Sequence, residues 1–81
     1  MKIYRQPDGR CNISGTQIKA RREACFLSQE QLAAKAQLAG LNLTQKAISR
    51  IETGERIVTD YELVQFAKIF HTSVSELLGL G

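Results

Sequence analysis

The sequence has little of what most chemistry needs. It contains one histidine, two cysteines and no glycine-rich phosphate loop, which leaves few groups for catalysis, and the expectation is that the protein is not an enzyme. Cys11 and Cys25 do not make a disulfide scaffold. With no second cysteine pair and only His71 beside them, they do not have the spacing of a zinc site either, so no metal and no cofactor is expected. No apolar run approaches the length of a membrane span, and the opening Met1-Lys2-Ile3-Tyr4-Arg5-Gln6-Pro7-Asp8 lacks the apolar stretch of a signal peptide. No membrane partner is expected, and a reducing cytoplasm is the natural compartment. Proline is absent after Pro7, and no stretch sustains period-two alternation.

What is present fits one compact domain of 81 residues, 43% hydrophobic and 23% charged. The formal charge is +3, and it is unevenly placed. Residues 1–22 carry six basic side chains against one acidic, whereas residues 23–81 carry five against seven. A basic balance of this kind suits a nucleic-acid partner. Residues 1–13 form a separate basic arm around the turn signal Pro7-Asp8-Gly9-Arg10. The arm is expected to dock loosely. A functional alternative has it touch DNA phosphate.

Residues 14–81 predict an all-α domain of five short helices. The first spans about Thr16 to Cys25, with Ile18, Arg22 and Cys25 on one face and Cys25 as a small core residue. Ser28-Gln29-Glu30-Gln31 is a capping box that opens a second helix, with Leu32, Ala33 and Ala36 turned inward. Gly40 stops that helix, and Thr44 caps a third over Gln45 to Thr53, which Gly54 ends. Leu38, Leu41 and Leu43 are expected to be buried around the connection. Thr59 or Asp60 caps a fourth, strongly apolar helix to about His71, whose imidazole suits a helix C-terminus. Thr72 or Ser73 caps a last short helix with Val74, Leu77 and Leu78 inward.

The third helix has two unlike faces. With Ile48 at the centre of the inner face and about 100° per residue, Ile51 and Glu52 lie inward, while Lys46 and Arg50 point about 160° away. Gln45, Ala47 and Ser49 occupy the flanks. Arg and Lys can donate to guanine O6 and N7, and Gln can pair with adenine. Glu52 needs a partner, because an unpaired buried carboxylate is costly. Arg22 on the first helix has the planar fork to supply it, so Arg22 and Glu52 are expected to pair.

The order Ile18-Lys19-Ala20-Arg21-Arg22, Leu27-Ser28-Gln29-Glu30-Gln31-Leu32-Ala33 and Thr44-Gln45-Lys46-Ala47-Ile48-Ser49-Arg50-Ile51-Glu52-Thr53-Gly54 resembles the lambda-repressor-like (Xre/Cro) helix-turn-helix family. The segments Phe66-Ala67-Lys68 and Val74 to Leu78 are similar to its closing helices. The resemblance implies a five-helix DNA-binding bundle and a transcriptional regulator, commonly a dimeric repressor bound to a double-stranded operator. It implies base contacts from Gln45, Lys46, Ser49 and Arg50, phosphate contacts from Gln29 and Arg56, and a structural ion pair between Arg22 and Glu52. Homodimer contacts are expected from exposed parts of the fourth and fifth helices, with Phe70, Val74 and Leu80 as candidates; the alternative is that these residues close the core. A rival use of the same fold meets protein through the third helix; Lys46 and Arg50 favour DNA. Two departures stand out. Phe26 occupies a place where the family often has Gly, and the helix-turn-helix turn is lengthened, with seven residues between Ala36 and Thr44.

Overall fold

The structure, a computed structural model, describes residues 5–81. All its regular elements are helices: α1 (Gly15–Ala24), α2 (Gln29–Leu38), α3 (Gln45–Thr53), α4 (Asp60–Ile69) and α5 (Val74–Leu77). Helix α3 lies against both α1 and α2, and α4 and α5 close the bundle, α4 against α2 and α5 against α1. Ile18, Leu32, Ile48, Ile51, Phe66 and Leu77 are fully buried and bring all five helices into one core. Phe66 stacks on Phe70, ring centroids 6.5 Å apart. Phe70 is therefore a core residue, 8% exposed, and not the surface contact that its apolar character suggested.

The N-terminal caps follow the sequence signals. Ser28 and Thr59 each close a full capping box, with Gln31 and Glu62 respectively, and Thr44 and Ser73 accept from the N–H groups of Ala47 and Glu76. Helix α1 differs. Ser14 at its N-cap gives no side-chain bond. Asn12 Oδ1 instead accepts the Gly15 N–H at 2.7 Å, and the helix starts at Gly15, one residue before the expected Thr16.

Helices α1, α2 and α4 all end in the same doubly bonded turn, in which the residue after the cap takes a left-handed conformation. Gly40 fills that position after α2 with φ 90°, whereas Phe26 fills it after α1 with φ 57° and His71 after α4 with φ 53°. Phe26 N–H donates to Glu23 O at 3.0 Å and Leu27 N–H to Arg22 O at 3.0 Å, so the turn forms without glycine. A side chain in this region costs about 1–2 kcal/mol, which the two hydrogen bonds and the burial of Leu27 against the core offset. The Phe26 ring itself is 93% exposed. Cys25 is exposed as well. The inward face of α1 ends at Arg22, and Cys25 already belongs to the turn, so it is not the core residue its spacing predicted.

The connection between α2 and α3 runs from Ala39 to Thr44, longer than the 3 or 4 residues of a compact helix-turn-helix. Leu41 and Leu43 anchor it, 4% and 2% exposed, and Gln37 Nε2 donates to Leu43 O at 3.1 Å. Leu38 does not join them. It lies about 160° around α2 from Ala36 and is 90% exposed, which corrects the expectation that all three leucines are buried.

Candidate nucleic-acid interface

Helix α3 is fastened from behind. Glu52 is 5% exposed, and the Arg22 guanidinium grips it with both prongs, Nε to Oε2 at 2.6 Å and Nη2 to Oε1 at 3.0 Å. The third guanidinium nitrogen donates to Leu27 O at 2.8 Å. The Glu52 hydrogen bond raises the Arg22 pKa above its ordinary value, against the opposing effect of burial. The charge is thus paired and its oxygens are used, as a buried carboxylate requires.

The network continues outward. Gln29, in the first turn of α2, donates from Nε2 to Glu52 Oε1 at 3.1 Å and accepts from Gln45 Nε2 at 2.5 Å. Gln45 begins α3 and is exposed. A continuous line of polar bonds therefore runs from Arg22 on α1 through Glu52 and Gln29 to the first residue of α3. Each glutamine has capacity left over: one Nε2 hydrogen on Gln29, and one hydrogen and the carbonyl oxygen on Gln45.

The outer face of α3 presents Lys46 and Arg50, both exposed, with Ser49 half-buried beside them. Neither cation forms an ion pair among the described residues. Together with Ala47, Thr44, Cys11, Glu55, Arg56 and Ile57 they line a cleft of about 390 Å³. At the start of α2 the capping box takes the N–H groups of Ser28 and Gln31. The N–H groups of Gln29 and Glu30 are left facing out of the helix, where an anion is favoured.

Arg56 is placed differently from the free cation that its loop position suggested. Its guanidinium is held by Glu62, Nη1 to Oε1 at 2.9 Å and Nη2 to Oε2 at 3.0 Å, and it also donates to Ile57 O at 2.9 Å. The pairing raises the Arg56 pKa. Burial alone pushes the Glu62 carboxyl up, but bonds from Arg56 and from the Thr59 N–H outweigh it and hold the group below its usual range. The signal was in the sequence: Thr59-Asp60-Tyr61-Glu62 has capping-box spacing, which already points the glutamate back toward the loop.

The basic arm is not loosely docked over its described C-terminal part. Cys11 N–H donates to Gly54 O at 2.7 Å, and Asn12, 8% exposed, bonds to the end of α3. Only an asparagine three residues before a helix-starting glycine hinted at this. Residues 1–4 of the arm, where Ile3 and Tyr4 would allow a short extended segment, lie outside the described residues.

With the bundle and its exposed basic helix in view, comparison with known families gives a match to Helix-turn-helix over residues 18–77, most of the chain. The chain belongs to the helix-turn-helix family. It is of the lambda-repressor-like, Xre type, and membership makes it a DNA-binding domain of the transcription-regulator class. Neither the curated proteins nor the solved structures give a match. No described helix is long and apolar enough to cross a membrane.

Proposed function

We propose that this helix-turn-helix domain is a sequence-specific transcriptional regulator of repressor type that lays α3 in the DNA major groove. The observation that carries the reading is the contrast between the two sides of α3. Its inner side is locked by Arg22, Glu52 and Gln29, and its outer side offers Gln45, Lys46 and Arg50 without carboxylate partners among the described residues. Arg50 and Lys46 donate to guanine. Gln45, oriented by Gln29, turns its free amide edge to adenine, and Ser49 adds a shorter contact. The remaining Gln29 hydrogen and the outward N–H groups of α2 take a phosphate, which sets the register of α3 in the groove. Arg56 contributes less to phosphate binding than a free arginine, because Glu62 already neutralises it.

The regulator acts in the cytoplasm, where its operator is, and binds as a homodimer, since a two-fold protein matches a two-fold site. Val74 and Leu80 remain the dimer contacts of this reading, with Leu80 76% exposed. Selection from a random duplex library tests all of it. The expected result is an enriched site with two half-sites about one helical turn apart, or a multiple of that spacing, and binding that weakens steeply with salt. No enrichment and no salt dependence would mean that the outer face of α3 meets protein instead. A single enriched half-site would remove the homodimer.

A further inference from the structure

The arm lies outside the residues matched by the family, yet it makes the most concentrated set of bonds at the end of α3. A helix leaves its last carbonyls without internal donors. Here the arm supplies donors to that end: Asn12 Nδ2 to Ile51 O at 3.0 Å, Arg10 Nη2 to Glu52 O at 3.2 Å, and Cys11 N–H to Gly54 O at 2.7 Å. Asn12 Nδ2 also donates to Arg56 O at 2.7 Å in the following loop, and Asn12 Oδ1 accepts from the Gly15 N–H. One buried side chain thus ties together the end of α3, the loop after it and the start of α1.

The approach is close enough to exclude a side chain. A Cβ on Gly15 would stand 2.1 Å from Ile51 O, so the start of α1 meets the end of α3 backbone to backbone. The Arg10 guanidinium covers Gly54, where a Cβ would come within 2.7 Å of Cζ. Its positive charge sits at the negative end of α3, the favourable arrangement. Arg50 belongs to the last turn of the same helix, and Cys11, next to Asn12, lines the cleft that Lys46 and Arg50 share.

We infer that Asn12 is a positioning residue for base reading: it locks the C-terminal half of α3, and with it the direction of Arg50, against the start of α1. The inference rests on the reading of α3 as the DNA-reading helix. Gln29 meets Gln45 at the start of that helix and Arg22 grips the Glu52 side chain in its last turn, while Asn12 bonds the backbone of that last turn through Ile51 O and ties it to the start of α1. Phosphate contacts made by α2 do not depend on Asn12, so its loss strikes sequence preference before it strikes affinity for DNA in general.

The test uses the full chain and a duplex selected from a random library, compared with a scrambled duplex. Wild-type preference is measured first; if the protein prefers no duplex, the DNA reading fails and this inference goes with it. Given a preference, Asn12→Asp keeps an oxygen for the Gly15 N–H and removes both donors, while Asn12→Ser guards against a folding failure of the aspartate. Ile69→Ala, in a half-buried site on α4, controls for loss of stability. Binding is measured at a temperature where circular dichroism shows every variant folded. The expected result is about a tenfold loss on the selected duplex with scrambled-duplex binding within about twofold, the size of losing one base contact. Ile69→Ala should keep the wild-type ratio. An unchanged ratio in both folded Asn12 variants overturns the inference, and so does an equal loss in Ile69→Ala. Failure of both Asn12 variants to fold where Ile69→Ala folds makes Asn12 a folding residue and overturns it too.

Discussion

Arg22 forks onto Glu52 side-on through Nε and Nη2, and Arg56 forks onto Glu62 end-on through Nη1 and Nη2, with nitrogen–oxygen distances between 2.6 and 3.0 Å across the two forks. Their settings differ. The first joins α1 to α3 across the chain and is nearly buried, the side chains 12% and 2% exposed. The second joins residues six apart in sequence, with the arginine 31% exposed. Burial converts one fork into a structural joint whose loss strands a charge in the core. Partial exposure leaves the other as a local clip that water can replace. In the proposed DNA-reading function, the first fork would set the position of α3 and the second would weaken Arg56 as a phosphate contact.

The largest effect should come from breaking the buried fork. Glu52→Gln leaves the Arg22 charge unpaired and should lower folding stability by about 3 kcal/mol, read by denaturant unfolding. Arg22→Met should cost a comparable amount, and the double mutant should cost clearly less than the two singles added. Strict additivity would show that the two residues do not act as a pair.

Glu62→Gln should cost about 1 kcal/mol near neutral pH, since it loosens the Arg56 clip and half of the α4 capping box. The pH dependence has a definite sign. The folded Glu62 pKa is lowered, so its stabilisation is fully present above the unfolded glutamate value, about 4.3, and is lost as pH falls through the folded value. The stability gap between wild type and Glu62→Gln should therefore close on acidification. A gap that widens below pH 4 would contradict the pairing.

The smallest effect concerns the salt dependence of DNA binding. A free phosphate-binding cation contributes about 0.9 to the slope of log affinity against log salt. Arg56→Ala should change the slope by under about half a unit, because Glu62 already neutralises the charge. A full unit lost in Arg56→Ala would show that the clip opens on DNA.

Much of the fold was legible because it depends on local rules. Capping boxes, the glycine after α2 and the inward placement of Ile48, Ile51 and Glu52 all follow from spacing within one or two helical turns. What was not legible depends on where a helix stops or on partners distant in sequence. Cys25 shares the angular position of a core residue, but α1 ends before reaching it. Leu38 is apolar, yet it lies on the far side of α2 from Ala36. Periodicity alone leaves Phe70 open between the surface and the core, because it does not show that Phe66 stacks on it. Arg56 is held by Glu62, a partner that only the capping-box spacing of Thr59 to Glu62 signals. The role of the arm lies in bonds from Asn12 to residues 39 and 44 positions away, beyond the reach of any local pattern.

Arg50→Ala tests most directly whether the outer face of α3 reads bases. Its affinity should be measured on the selected duplex, on single-base variants of that duplex and on a scrambled one, at several salt concentrations. A base-reading Arg50 gives a loss of about 1–3 kcal/mol on the selected duplex, relaxed preference at one base position and little change on scrambled DNA. Equal weakening on the selected and scrambled duplexes would contradict it, and would mean that the lengthened turn from Ala39 to Thr44 tilts α3 out of the groove.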